Sequence, residues 1–171
     1  AIQMLKSAGA ASIMITAGSA EKCAFAAELG ADRAINYREE DFEQIVRDAG
    51  GADVILDMVG GDYVQKNISA AKVGGRIVNI AYMQGPQVNL NLMPLMLKRL
   101  ILTGTTLRAR PNPEKQRIRD AVLADFWPDV LSGAIKPIID TVYSFEQAEQ
   151  AQAHMAAGGH IGKILLSRQQ S

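Results

Sequence analysis

The stretch that most constrains the fold is residues 12–37. A short apolar run, Ile13-Met14-Ile15, stops at Gly18-Ser19; a helix-length segment follows and closes at Gly30; a second short run, Arg33 to Asn36, ends at Tyr37. The first run over 12–17 is too short for a helix and reads as a strand buried on both faces. Ser19 is a natural N-cap for a helix over 20–29 that buries Cys23, Phe25, Ala26 and Leu29. Strand, helix and strand in this order make a β-α-β unit. Its Gly-Ser turn stands at a helix N-terminus, where α/β folds hold phosphate groups.

The rest of the chain continues the alternation. Residues 1–8 read as the tail of an amphipathic helix ending at Gly9, with no start signal of its own, so the chain is expected to be a fragment. Glu39 and Glu40 are expected in the first turn of a helix running to Asp48, which Gly50-Gly51 breaks. A strand over 53–57 leads through Val59-Gly60-Gly61 into a helix over 62–71. A turn at 72–75 follows, then a strand over 76–81 and an exit loop, Tyr82 to Pro86. Residues 87–97 are apolar and irregular, with Pro94 opening one helical turn, and Arg99 to Thr105 is a strand. The longest helix is expected over 114–132, kinked or divided at Pro128 and closed by Gly133. A strand over 137–142, a helix over 145–157 and a strand over 161–166 complete the chain. This is one α/β domain with a parallel, doubly wound sheet.

Composition removes several function classes. With 18 basic and 18 acidic side chains in 171 residues, nothing points to nucleic acid or an anionic membrane as partner. Cys23 is the single cysteine, which leaves no internal disulfide and suits a reducing, cytoplasmic setting. No apolar run approaches the ~20 residues of a membrane span, and the first residues do not read as a signal peptide. His154 and His160 are the two histidines, six apart and without a spaced cysteine partner, so no metal site is expected. No nucleophile motif is present.

The candidate site chemistry lies at strand ends. In dinucleotide-binding units an acidic residue ends the second strand and bonds the ribose 2′-hydroxyl. Here the strand ends Thr16-Ala17-Gly18-Ser19, with no carboxylate at its tip, and Lys22 stands one turn into the helix. A cation there opposes the helix dipole unless an anion binds beside it. Gly18 for close approach, Ser19 for a hydroxyl and Lys22 for charge together suit a 2′-phosphate. Tyr37 could reach the same phosphate or flank an adenine. Each also has an ordinary reading, as N-cap, surface lysine or strand-end aromatic, and Glu21 blunts the charge of Lys22. The coincidence of all three favours a phosphate site. Further candidates are Asp57 to Gly61, Ile80 to Met83 and Thr105 to Arg108, each equally compatible with turn chemistry. Arg110 reads as a surface arginine.

These residues carry a resemblance. Thr16-Ala17-Gly18-Ser19-x-x-Lys22 and Leu29-Gly30-Ala31-Asp32-x-Ala34-Ile35-Asn36-Tyr37 resemble the cofactor domain of zeta-crystallin-like NADPH:quinone oxidoreductases, of the medium-chain dehydrogenase/reductase superfamily. Ile55-Leu56-Asp57-x-x-Gly60-Gly61, Gly74-Gly75-Arg76-Ile77-Val78, Leu107-Arg108-x-Arg110 and His160-Ile161-Gly162-Lys163-Ile164 fit the same pattern. The resemblance implies a Rossmann-type domain that binds NADPH and works with a GroES-like catalytic domain, reducing quinones or α,β-unsaturated carbonyls without zinc. It implies that Ser19, Lys22 and Tyr37 hold the 2′-phosphate, beside Gly18. Gly60, Ile80, Ala81, Met83, Leu107 and Arg108 would then line the rest of the cofactor, with His160 near the nicotinamide. It further implies a sheet order of 3-2-1-4-5-6 whose first strand and glycine-rich turn are not in these residues. The central sheet should therefore show a one-strand gap, the strands within residues 136–171, which resemble those that return to the catalytic domain, should lose partners too, and the fragment alone should be inactive. A homodimer is expected through residues 88–105. An enoyl-thioester reductase of the same superfamily, or a non-catalytic nucleotide-binding module, are the alternatives.

Overall fold

The computed structural model describes residues 1–168. Helix α1 (Ile2–Ser7) leads to strand β1 (Met14–Ala17), helix α2 (Ala20–Glu28) and strand β2 (Arg33–Asn36). Then come α3 (Phe42–Asp48), β3 (Ala52–Asp57), α4 (Tyr63–Ala70), β4 (Ala71–Asn79), α5 (Met93–Leu97) and β5 (Ile101–Gly104). The remainder is α6 (Asn112–Asp125), α7 (Trp127–Ser132), β6 (Ile139–Ser144), α8 (Ala148–Ala157) and β7 (Lys163–Ser167).

All strand pairs are parallel. They fall into β1-β2, β3-β4-β5 and β6-β7, with no ladder joining the three among the described residues. The expected break in the central sheet is therefore present, between β1 and β3.

Alternation along the strands explains why helices cover both faces. Met14 and Ile35 point to one side, where they pack with Phe42 and Val46 of α3 and Ala70 of α4. Ile15 and Ala34 point to the other, against Ile2 of α1 and Ala26 of α2. Ile55 of β3 touches the clusters on both sides of the break, so α3 and α4 bridge it from one face. The opposite face of β3 is bare: Val54 is 67% and Leu56 58% exposed.

Several expected details change. In α2 only Ala26 is fully buried, while Cys23, Phe25 and Leu29 are half-buried. Helix α3 starts later than Glu39-Glu40, capped by Asp41, whose carboxylate accepts from the Glu43 amide at 3.1 Å. Glu40 is occupied elsewhere: it accepts from the Asn36 amide at 3.0 Å and pairs with Arg33. Residues 72–75 are a bulge inside β4, since Ala52 faces Ala71 while Val54 faces Arg76. The long C-terminal helix is divided at Phe126, with Pro128 in the first turn of α7, where its missing amide costs nothing.

The β6-β7 unit is tied back by side chains. Gln3 brackets Lys136, donating to its carbonyl at 3.0 Å and accepting from its amide at 2.7 Å. The Ser7 hydroxyl bonds Asp129, and the Lys22 ammonium donates to the Gly158 carbonyl at 2.6 Å.

Candidate functional site

Parallel strands put their carboxyl ends on one edge, where ligands of open α/β sheets bind. At the β1 tip, Ser19 is an extended N-cap whose hydroxyl accepts from the Lys22 amide at 3.3 Å, a long bond. The Tyr37 ring lies over this turn. A Cβ on Gly18 would stand 2.6 Å from the Tyr37 hydroxyl, so glycine is what admits the ring. Tyr37 is anchored at its own amide, which donates to the Ala17 carbonyl at 3.1 Å. Gly18, Ser19 and Tyr37 thus meet at one turn. Lys22 stands beside them with its ammonium turned to Gly158, the C-cap of α8. A helix C-terminus carries partial negative charge, so that carbonyl occupies the cation as an anion would.

The β3 tip is built differently. Asp57 is buried, and its carboxylate accepts from the Val59 amide at 2.7 Å, the Gly60 amide at 3.3 Å and the Asn79 side-chain amide at 2.8 Å. Gly60 has φ +69, and a Cβ there would lie 2.9 Å from the Gly85 carbonyl oxygen. The Gly61 amide donates to that same carbonyl at 3.1 Å, and the Gln84 amide to Val59 at 2.8 Å. The loop carrying Ile80, Ala81 and Met83 is thereby fastened to the Gly60 turn.

Ile80 and Ala81 line a cavity of about 630 Å³ at the β4 and β5 tips, together with Asn79, Tyr82, Thr105 and Arg110. Met83 and Leu107 are outside its lining, 77% and 58% exposed, and Arg108 contributes a carbonyl to the Lys115 ammonium at 3.0 Å. Arg110, expected as a plain surface residue, holds the cavity wall. Its guanidinium donates to the Thr106 carbonyl at 2.8 Å, the Thr105 hydroxyl at 2.7 Å and the Glu114 carboxylate at 2.8 Å. The Arg110–Glu114 spacing of four is the one signal in the sequence that could have indicated this.

His160 belongs to a separate group. Its ring is edge-on to His154 at 6.1 Å, and His154 meets the Tyr143 hydroxyl at 3.1 Å and Asp140 at 3.7 Å. The Asp140 carboxyl is held below its usual range, first by the Ile161 amide and then by the Thr141 hydroxyl. His160 is not among the residues lining the cavity. Among the described residues no three His, Cys, Asp or Glu side chains gather as a metal site would require. None of the described helices is long and apolar enough to cross a membrane.

Fold and strand-edge site together define a Rossmann-type cofactor domain of the medium-chain dehydrogenase/reductase kind. Residues 1–126 match the zinc-binding dehydrogenase family, and the chain belongs to it. It is 29% identical over 160 residues to quinone oxidoreductase-like protein 2 of Bos taurus, covering 92% of this chain and 46% of that protein. It is 28% identical to the quinone oxidoreductase of Mus musculus, covering 90% and 46%. The chain spans about half the length of the curated relatives it matches. Among solved structures, the quinone oxidoreductase from Thermus thermophilus, described also in complex with NADPH, superposes with a TM-score of 0.82 at 26% identity, over 96% of this chain and 52% of that one. An NAD-dependent alcohol dehydrogenase superposes with a TM-score of 0.77 at 27% identity, over 98% and 47%. One fold thus serves a neighbour described with NADPH and another described as NAD-dependent. These relatives are oxidoreductases by name.

Proposed function

We propose that these residues form the cofactor half of an NADPH-dependent reductase that passes a hydride to quinones or other α,β-unsaturated carbonyls. The observation that carries the reading is the β1 tip: a turn without a carboxylate, opened by Gly18 and flanked by the Ser19 hydroxyl and the Tyr37 ring, with Lys22 in the first turn of α2, its ammonium resting on the Gly158 carbonyl, which an anion at the turn would replace. A ribose 2′-hydroxyl would want an acidic partner there, whereas a 2′-phosphate wants the donors and the cation that are present. Gly18, Ser19, Lys22 and Tyr37 would hold the adenosine phosphate. Gly60, Ile80, Ala81, Met83, Leu107 and Arg108 would follow the cofactor toward the cavity, with His160 on its far side. When bound, NADPH supplies the hydride; the protein's part is to orient it against the substrate and keep water out.

The reaction is read as zinc-independent, on the sequence resemblance, and the setting as cytoplasmic. The 171 residues alone are taken to be inactive, since the break between β1 and β3 stands where a pyrophosphate-binding strand and turn would enter. The test is turnover by the protein at its relatives' full length. NADPH oxidation driven by a quinone, faster than by an enoyl thioester, is expected. Preference for the thioester moves the assignment to the enoyl-thioester reductases, and tight NADPH binding without any turnover moves it to a nucleotide-binding module.

The same reading includes a homodimer through residues 88–105. Strand β5 is the sheet's edge, and Met93, Met96, Leu97 and Ile101 are exposed around it. Long apolar edges are normally paired or covered. Light scattering at micromolar concentration should give twice the chain mass; a monomer contradicts the assignment.

A further inference from the structure

Tyr63 opens α4 directly after the Gly60-Gly61 turn. Its half-buried ring packs into the cluster joining β2, α3 and α4 and stacks on Phe42, with centroids 5.1 Å apart and planes at 23°. It also meets Tyr37 edge to face, at 6.5 Å and 81°. Tyr37 in turn lies over Gly18. The contacts run from α4, across the break in the sheet, to the turn at the β1 tip. Burial raises the Tyr63 phenol above its ordinary value, with Tyr37 and Asp57 adding to the effect.

The mechanical consequence concerns Tyr37, which is 44% exposed. A half-exposed ring at a strand end would otherwise sample several rotamers. Phe42 fixes Tyr63 by stacking, and Tyr63 fixes Tyr37 by its edge-to-face contact. A ring already in place binds without the cost of ordering it.

We propose that Tyr63 is a positioning residue of the anion site: it holds the Tyr37 ring over Gly18 and so sets how strongly the β1 tip prefers a 2′-phosphorylated adenosine. This rests on the 2′-phosphate reading above and adds a residue to it that lies outside the β1–β2 unit. The probes are 2′,5′-ADP and 5′-AMP, titrated calorimetrically into the protein. Tyr63→Leu, which keeps apolar volume but removes the ring, should weaken 2′,5′-ADP on the order of fivefold and leave 5′-AMP within about twofold. Tyr63→Phe should retain full affinity, since the ring face and edge do the positioning. In a Tyr37→Ala background, Tyr63→Leu should have no further effect. Unchanged 2′,5′-ADP affinity in folded Tyr63→Leu would overturn the proposal, as would an undiminished loss in the Tyr37→Ala background. Lys22→Glu run alongside separates the two failures. If Lys22→Glu alone responds, the phosphate reading stands and the role of Tyr63 falls; if neither responds, both fall.

Discussion

The tips of β1 and β3 are both glycine-bearing turns at the end of a parallel strand, yet they direct their polar groups in opposite ways. At the β3 tip, Asp57 turns inward. Its carboxylate takes two backbone amides and the Asn79 side chain, and it is buried. At the β1 tip, the Ser19 hydroxyl takes one long bond from the Lys22 amide, and the Tyr37 ring stays half-exposed. A carboxylate at a strand end is therefore not by itself a ribose ligand. Asp57 is a girder for the Gly60 turn, whereas the β1 tip holds its polar groups by single bonds, the Ser19 hydroxyl on the Lys22 amide and the Lys22 ammonium on the Gly158 carbonyl.

That difference predicts two kinds of mutational response. The largest expected effect is Asp57→Ala, which leaves three donors without an acceptor, those of Gly60 and Asn79 buried and that of Val59 part-buried, and should destabilise by about 3 kcal/mol. Chemical denaturation would read this directly, and a loss under about 1 kcal/mol would mean that water replaces the carboxylate and the β3 tip is more open than described. Arg110→Ala comes next. The Arg110–Glu114 pair is partly solvated, so its ionic part is discounted, and the loss should be about 1 kcal/mol. The more telling readout is the KM for NADPH in the full-length enzyme. It should rise several-fold if the 105–111 wall is loosened, and an unchanged KM would return Arg110 to the surface role read from sequence.

Much of the fold was legible because it is local. Gly9, Gly30 and Gly133 close their helices as written, Ser19 caps α2, and β2 spans Arg33–Asn36 as read. Competing side-chain bonds caused one of the misses. Glu40 was drawn to Asn36 and Arg33, which moved the start of α3 to Asp41. The bond from the Lys22 amide to the Ser19 hydroxyl was readable because the two lie within one turn of chain. Of the wall built by Thr105, Arg110 and Glu114 only the Arg110–Glu114 spacing was; the contact of Lys22 with Gly158 and the edge-to-face contact of Tyr37 with Tyr63 were not. The last two join residues distant in sequence, and no local pattern encodes which partner a long cation or an aromatic ring will find.

The central claim, that the β1 tip holds a 2′-phosphate, is tested most directly by the affinity ratio of 2′,5′-ADP to 5′-AMP in the wild-type protein and in Lys22→Glu. The account predicts a wild-type preference on the order of a hundredfold that collapses to about one in the variant, with thermal stability little changed. A wild-type ratio near one, or a preference that survives the loss of the Lys22 ammonium, would contradict it.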